Sequence, residues 1–180
     1  MARQTLFEEL KIWLRKHRDL EINEEKSGVG PSSKSQLLGF QIDEQGNVSV
    51  SAKALKKFKT RVKQLWNARQ SLTSRELRDQ WWSYIRGWWN YFGYANHQRN
   101  VKELSGWIRR HIRKCFWQRW HNRAGRQAAL GRLGIRGRAL KVAGCRNGAW
   151  PMARHVVVQQ ALKTKVLNRY GLTLPWTLAS

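Results

Sequence analysis

Two kinds of residue spacing in this chain could carry chemistry. Transfer of phosphoryl groups by paired metal ions needs carboxylates clustered around the cations. The Asp residues are Asp19, Asp43 and Asp79, in three separate stretches, and the neighbours Glu8 and Glu9, like Glu24 and Glu25, diverge from one another in any regular element. A carboxylate-held metal centre is therefore not expected. His111 and Cys115 stand four apart, a spacing that can bind zinc, but tetrahedral zinc needs further ligands and only His121 and Cys145 are near in sequence. Both fall on the apolar side of the helix predicted around them, so a packed core pair is expected. No Ser-His-Asp or Cys-His-carboxylate set stands out. The glycines at 28, 30, 131, 134 and 137 lack the strand, spacing and helix of a phosphate loop. No catalytic residue, metal or cofactor is expected in this chain.

What remains is charge and aromatic surface. The chain has 180 residues, a formal net charge of +24 and eleven tryptophans. Every acidic residue lies at or before Glu103; from Leu104 onward there are 16 Lys and Arg and no Asp or Glu. The last 77 residues thus carry +16 and the first 103 carry +8. Such self-repulsion is usually offset by a phosphate backbone. An acidic membrane surface is disfavoured, because the cations are spread over several elements, and no apolar run approaches the ~20 residues of a membrane span. Two cysteines, Cys115 and Cys145, are too few for a disulfide framework, and a cytoplasmic location is expected.

The elements that position these groups can be read along the chain. Residues 5–8, TLFE, read as a capping box for a short helix with Leu6, Leu10, Trp13 and Leu14 on one face. Residues 20–22 alternate like a strand, 37–42 read as a strand, and 47–50 as its hairpin partner across a turn at Gly46. From Ser51 the apolar period becomes helical: Leu55, Phe58, Val62, Leu65 and Trp66 share a face surrounded by lysines. Thr73 to Glu76 forms a second capping box, and Asn100 to Glu103 suggests a third helix start. Shorter helices are expected over 127–133 and 137–143, and one long helix over 155–170, stopped at Gly171. The fold class is mostly α: a short helix and β-hairpin over 1–50, a three-helix bundle over 51–122, and a basic helical tail over 123–180.

The stretch WWSYIRGWWNYFGYA, 81–95, places Trp81, Tyr84, Ile85, Trp88, Trp89 and Phe92 within about half of a helix circumference, so it is expected to be core, with Trp82 and Trp89 at the margin. The third helix differs. Leu104, Ile108, His111, Ile112 and Cys115 form its inner side, whereas Arg109, Arg110, Arg113, Trp117 and Trp120 lie opposite. Arginine interleaved with tryptophan could stack on unpaired bases while neutralising phosphates. Alternatively, the short helices that follow fold back over Trp117 and Trp120.

The succession of motifs resembles reverse transcriptases of the group II intron type. Residues 20–27, LEINEEKS, resemble the fourth palm motif, and Leu38, Gly39 and Phe40, with Gln41 and Ile42, the primer-grip hairpin. Residues 51–122 resemble the thumb, or maturase-specific X domain, through YIRGW at 84–88, Tyr91-Phe92, WIRR at 107–110 and WQRW at 117–120; Leu133-Gly134 and Gly148-Ala149-Trp150 resemble the C-terminal extension of bacterial members. The family's Tyr-Ala-Asp-Asp palm motif is absent, as is its C-terminal nuclease module. The resemblance implies the C-terminal part of such an enzyme, acting as a maturase-type binder of structured intron RNA or an RNA–DNA hybrid. Lys26, Lys53, Lys56, Lys57, Arg86, Arg109, Arg110 and Arg113 are the expected backbone contacts, joined by Trp117 and Trp120. Mg²⁺ would belong to the full-length enzyme only. The alternatives are an inert remnant with non-specific nucleic-acid binding, and a subunit completing a separately encoded palm-and-fingers chain.

Without paired carboxylates, the chain alone should not polymerise DNA. Primer extension on an RNA template with Mg²⁺ or Mn²⁺ should give no product above a no-protein control; template-dependent synthesis would overturn this expectation.

Overall fold

A computed structural model describes residues 2–23, 27–31, 36–96 and 98–177. Helix α1 spans Ala2–Arg18. A three-stranded antiparallel sheet follows, with β1 at Gln36–Leu37, β2 at Phe40–Ile42 and β3 at Val48–Val50 in that order. Three long helices come next: α2 (Ala52–Leu65), α3 (Ser74–Phe92) and α4 (Arg99–Arg119). The remainder is short: α5 (Arg123–Arg132), a 3₁₀-helix (Gly137–Gly144), α6 (Ala149–Met152), α7 (Val156–Ala161), α8 (Thr164–Arg169) and a final 3₁₀ turn at Pro175–Thr177. The chain is mostly α with a small sheet, as its periodicity implies.

Local chemistry accounts for the element boundaries. Leu37 pairs with Phe40 across a two-residue turn in which both Leu38 (φ 51°) and Gly39 (φ 86°) are left-handed, the geometry that matches strand twist in a tight hairpin. Leucine there is strained, and Tyr91 of α3 steadies the turn by donating its hydroxyl to the Leu38 carbonyl at 2.9 Å. A Cβ at Gly39 would also lie 3.2 Å from the Phe92 ring, a tight contact that the ring would have to relieve. The β2–β3 turn closes on the Asp43 carboxylate, which accepts from the Gln45 and Asn47 amides. Ser51 caps α2 by accepting from the Ala54 amide, and Thr73 and Glu76 form the complete reciprocal box at α3.

Several expectations are corrected. Helix α1 begins at Ala2, ahead of the TLFE box, and its apolar residues Leu6, Leu10 and Trp13 are exposed rather than packed. Residues 20–22 form no strand. Asn100 lies inside α4, which starts after Gln98 with no side-chain cap. The long helix expected over 155–170 is broken at Leu162 and Lys163 into α7 and α8. Lys26 lies outside the described residues.

Two cores organise the packing. The first joins Phe58, Val62, Leu65 and Trp66 of the α2 region to Leu77, Trp81 and Ile85 of α3 and to Leu104, Ile108, Ile112 and Cys115 of α4. It is completed from far along the chain by Leu162, Leu167, Leu172, Leu174 and Trp176. The Trp176 indole donates to Ser105 Oγ at 2.8 Å and its ring meets Trp89 at 5.3 Å. The second core gathers Trp117, Leu130, Ile135, Ala143, Met152, Val158 and Ala161. The tail is thus shared: its first part builds the second core, and residues 162–176 close the first.

Two predictions arise from this packing. Trp81 is fully buried beside Trp66, at 5.5 Å between ring centroids, whereas Trp82 on the same helix is exposed. Trp81→Ala should cost about 3–5 kcal/mol of unfolding free energy, and Trp82→Ala within about 0.5 kcal/mol, by urea denaturation. His111 is buried between Trp107 and Trp150, and burial, with Lys114, Lys63 and Arg110 adding repulsion, lowers its pKa from 6.5 to about 4. The unfolded chain takes up a proton below pH 6.5 that the folded chain refuses until near 4, so stability present at neutral pH is lost as pH falls through that window. The urea midpoint should drop between neutral pH and about pH 5, and His111→Phe should flatten the drop; an equal drop in the variant would exclude His111 as its source.

Candidate nucleic-acid interface

The β1–β2 turn and helix α2 converge on one groove. A cavity of about 580 Å³ is lined by Leu38 and Gly39 of the turn, Lys53 and Lys57 of α2, and an aromatic floor of Phe58, Tyr84, Trp88 and Phe92. Phe40 anchors the turn from behind, its ring 5.2 Å from Phe92 and 5.6 Å from Tyr91. The structure therefore brings together five sequence-predicted residues: Leu38, Gly39, Phe40, Lys53 and Lys57. Burial raises the Tyr84 pKa to about 12, opposed by nearby Arg61, so its hydroxyl remains a donor. Lys56 is exposed on the same helix outside the groove, and Arg86 is exposed on α3.

The outer side of α4 differs from its helical wheel. Arg113 is buried; its Nε and Nη2 donate to the Leu162 carbonyl at 3.2 and 3.1 Å. Burial, aided by Arg109 and Arg110, pushes its pKa below the usual guanidinium value. It is a structural tie between α4 and the end of α7, not a phosphate contact. Trp117 is fully buried in the second core, with the Arg126 guanidinium 4.5 Å over its ring, so no face remains for a base. The tail covers it, and the stacking expectation for Trp117 is corrected. Trp120 is half-buried and touches both cores. Arg109 and Arg110 are half-buried with their own pattern: burial lowers the Arg109 pKa, and Arg110 lies 5.9 Å from the Trp150 ring.

Helical periodicity misses further structural arginines. Arg119 donates to the Gln70 carbonyl at 3.2 Å and to that of Leu72, holding the α2–α3 linker; Arg126 donates to the Cys145 carbonyl at 3.3 Å. A clue is present in the composition: with no acid after Glu103, a buried arginine in this region has no carboxylate side chain near it in sequence, and backbone carbonyls are the abundant alternative. Ion pairs among the described residues, such as Arg78–Asp79 and Arg99–Glu103, all precede residue 104. Burial raises the Cys115 thiol pKa to about 11, which keeps it protonated, and no three His, Cys, Asp or Glu among the described residues gather as a metal would require.

Residues 55–134 match the sequence model of the group II intron, maturase-specific domain. The match covers 80 of the chain's 180 residues. It runs from within α2, through α3 and α4, to the turn after α5. No curated protein matches the chain. The maturase domain supports a group II intron role of the maturase type in splicing, with intron RNA as the implied partner. No helix among the described residues is long and apolar enough to cross a membrane.

The burial pattern separates two kinds of basic residue. Lys53→Gln with Lys57→Gln should weaken RNA binding and reduce the slope of log affinity against log salt by about 0.7 for each phosphate no longer neutralised, with little change in thermal stability. Arg113→Met should do the reverse: a loss of about 1–3 kcal/mol in stability, because the Leu162 carbonyl is left without its donors, and an unchanged salt slope at temperatures where the variant is folded. Filter binding across a salt series, with urea melts, reads both.

Proposed function

We propose that the protein binds structured group II intron RNA, or an RNA–DNA hybrid formed from it, as a maturase-type module that assists splicing or retrotransposition without polymerising. The observation that carries this reading is the coincidence of a maturase-specific domain match at 55–134 with 16 cations and no acid from Leu104 onward. Electrostatics supplies affinity and salt dependence. Selectivity needs more, because folded RNA offers shape, 2′-hydroxyls and splayed bases that a duplex lacks. The groove under the β1–β2 turn supports contact with a backbone through Lys53 and Lys57 above an aromatic floor.

A structured intron RNA should outcompete unrelated RNA of equal length, duplex DNA and heparin at moderate salt, where the non-specific component has been weakened. Competition should be run at several salt concentrations; equal competition by every polyanion at every salt would leave only the inert-remnant reading. The subunit reading is favoured by one feature, the exposed Leu6, Leu10 and Trp13 of α1. A separately expressed palm-and-fingers chain should then co-purify with the parent and not with the Leu10→Glu/Trp13→Glu variant.

A further inference from the structure

Where the two cores meet, they leave a cavity of about 520 Å³ that shares no lining residue with the β1–β2 turn groove. Its aromatic lining is Phe116 and Trp120, one turn apart on α4, with ring centroids 6.5 Å apart and planes 32° from parallel. Leu133, Leu162 and Leu172 add apolar wall. Arg75 and Arg78 of the first turns of α3 and Arg132 of the last turn of α5 line it as well, with Tyr170. The acids nearby are committed elsewhere: Asp79 is paired with Arg78 at 2.8 Å, and Glu76 is bound into the α3 cap. Arg75 and Arg132 are exposed and form no ion pair among the described residues.

An apolar, aromatic-floored cavity lined also by unpaired guanidinium groups has two chemistries side by side. The floor suits the face of a planar heterocycle, and the arginines suit a phosphate dianion or diester. A volume of this order is that of a small-ligand site, room for one nucleotide but not for a helix of RNA. A purely apolar ligand would leave Arg75 and Arg132 without a role, and a duplex backbone would leave the rings unused. We propose that the cavity takes a single unpaired nucleotide of bound RNA, its base against Phe116 and Trp120 and its phosphate at Arg75 and Arg132. The proposal deepens the RNA-binding reading above and rests on it. It also places Trp120, which the tail leaves half-buried where it covers Trp117, at a site where part of one ring face stays accessible.

The test uses the full chain and two RNA hairpins that differ by one bulged 4-thiouridine. The bulged hairpin should bind about tenfold more tightly, a typical gain for one stacked base. Ultraviolet crosslinking should place the thiouridine on the peptide containing Phe116 and Trp120 or on that containing Tyr170. Arg75→Gln with Arg132→Gln touches neither core, so the fold is retained; it should remove most of the bulge preference while weakening the paired hairpin less. Trp120→Phe, which keeps an aromatic floor, should preserve the preference. Equal affinity for the two hairpins, or a crosslink confined to α2 and the β1–β2 turn, overturns this proposal and leaves RNA binding standing. Failure to bind either hairpin overturns both.

Discussion

A guanidinium needs acceptors, and beyond Glu103 this chain has no carboxylate side chain to provide them. The fold meets that constraint with backbone carbonyls. Arg113 reaches Leu162, Arg119 reaches Gln70 and Leu72, Arg126 reaches Cys145, and Arg136 reaches Gly131. These carbonyls stand at helix ends or in linkers, where the helical ladder leaves oxygens free to accept a further donor. The buried Arg113–Leu162 bonds satisfy groups that burial would otherwise penalise. A neutral acceptor satisfies the N–H groups but leaves the positive charge uncancelled. The tail can thus be tightly folded and remain an attractor of phosphate, which a tail stitched by carboxylate pairs could not.

Helix α4 is the member on which both cores depend. Its Leu104, Ile108, Ile112 and Cys115 complete the first core, and Trp117 enters the second. Aromatic contacts extend the arrangement in both directions, from Trp66 to Phe116 on one side and from Trp117 to Trp120 on the other. Most of the tryptophan side-chain area is therefore used in packing, and the basic groups form a shell around it. The small sheet serves the same frame: Val50 is buried in the first core and Phe40 packs against it, while the β1–β2 turn projects beside α2.

Local signals make much of this legible in the sequence. Thr73 announces its helix because cap chemistry is confined to four residues, and the change of period at Ser51 announces the helix that follows it; Phe58, Val62, Trp81 and Ile85 announce their burial through helical period. The mostly-α class and the maturase resemblance follow from the same stretches. What cannot be read is non-local. On a wheel, Arg113 and Trp117 share a side with Arg109 and Arg110, and only the return of α7 and the second core over that side turns them inward. The break between α7 and α8 falls where the carbonyl of Leu162 is engaged by an arginine 49 positions away, a contact that no local pattern signals. Asn100 misleads as a cap because its spacing to Glu103 is satisfied within a helix already begun.

The sharing of the first core has a consequence for how the protein is made. Helices α2, α3 and α4 leave the ribosome first, yet their packing is finished by Leu162, Leu167, Leu172, Leu174 and Trp176, and Trp176 bonds to a serine 71 positions earlier. During synthesis, domains ordinarily fold from the N-terminus as they emerge. Here the helical bundle stays unsealed, with apolar surface open, until nearly all of the described chain is out, and its closure waits on contacts of long sequence separation, which form slowly. In that interval the nascent chain presents a dense row of cations beside unfinished hydrophobic surface. A polyanion met in that interval meets these cations before the packing that fixes their spacing is finished.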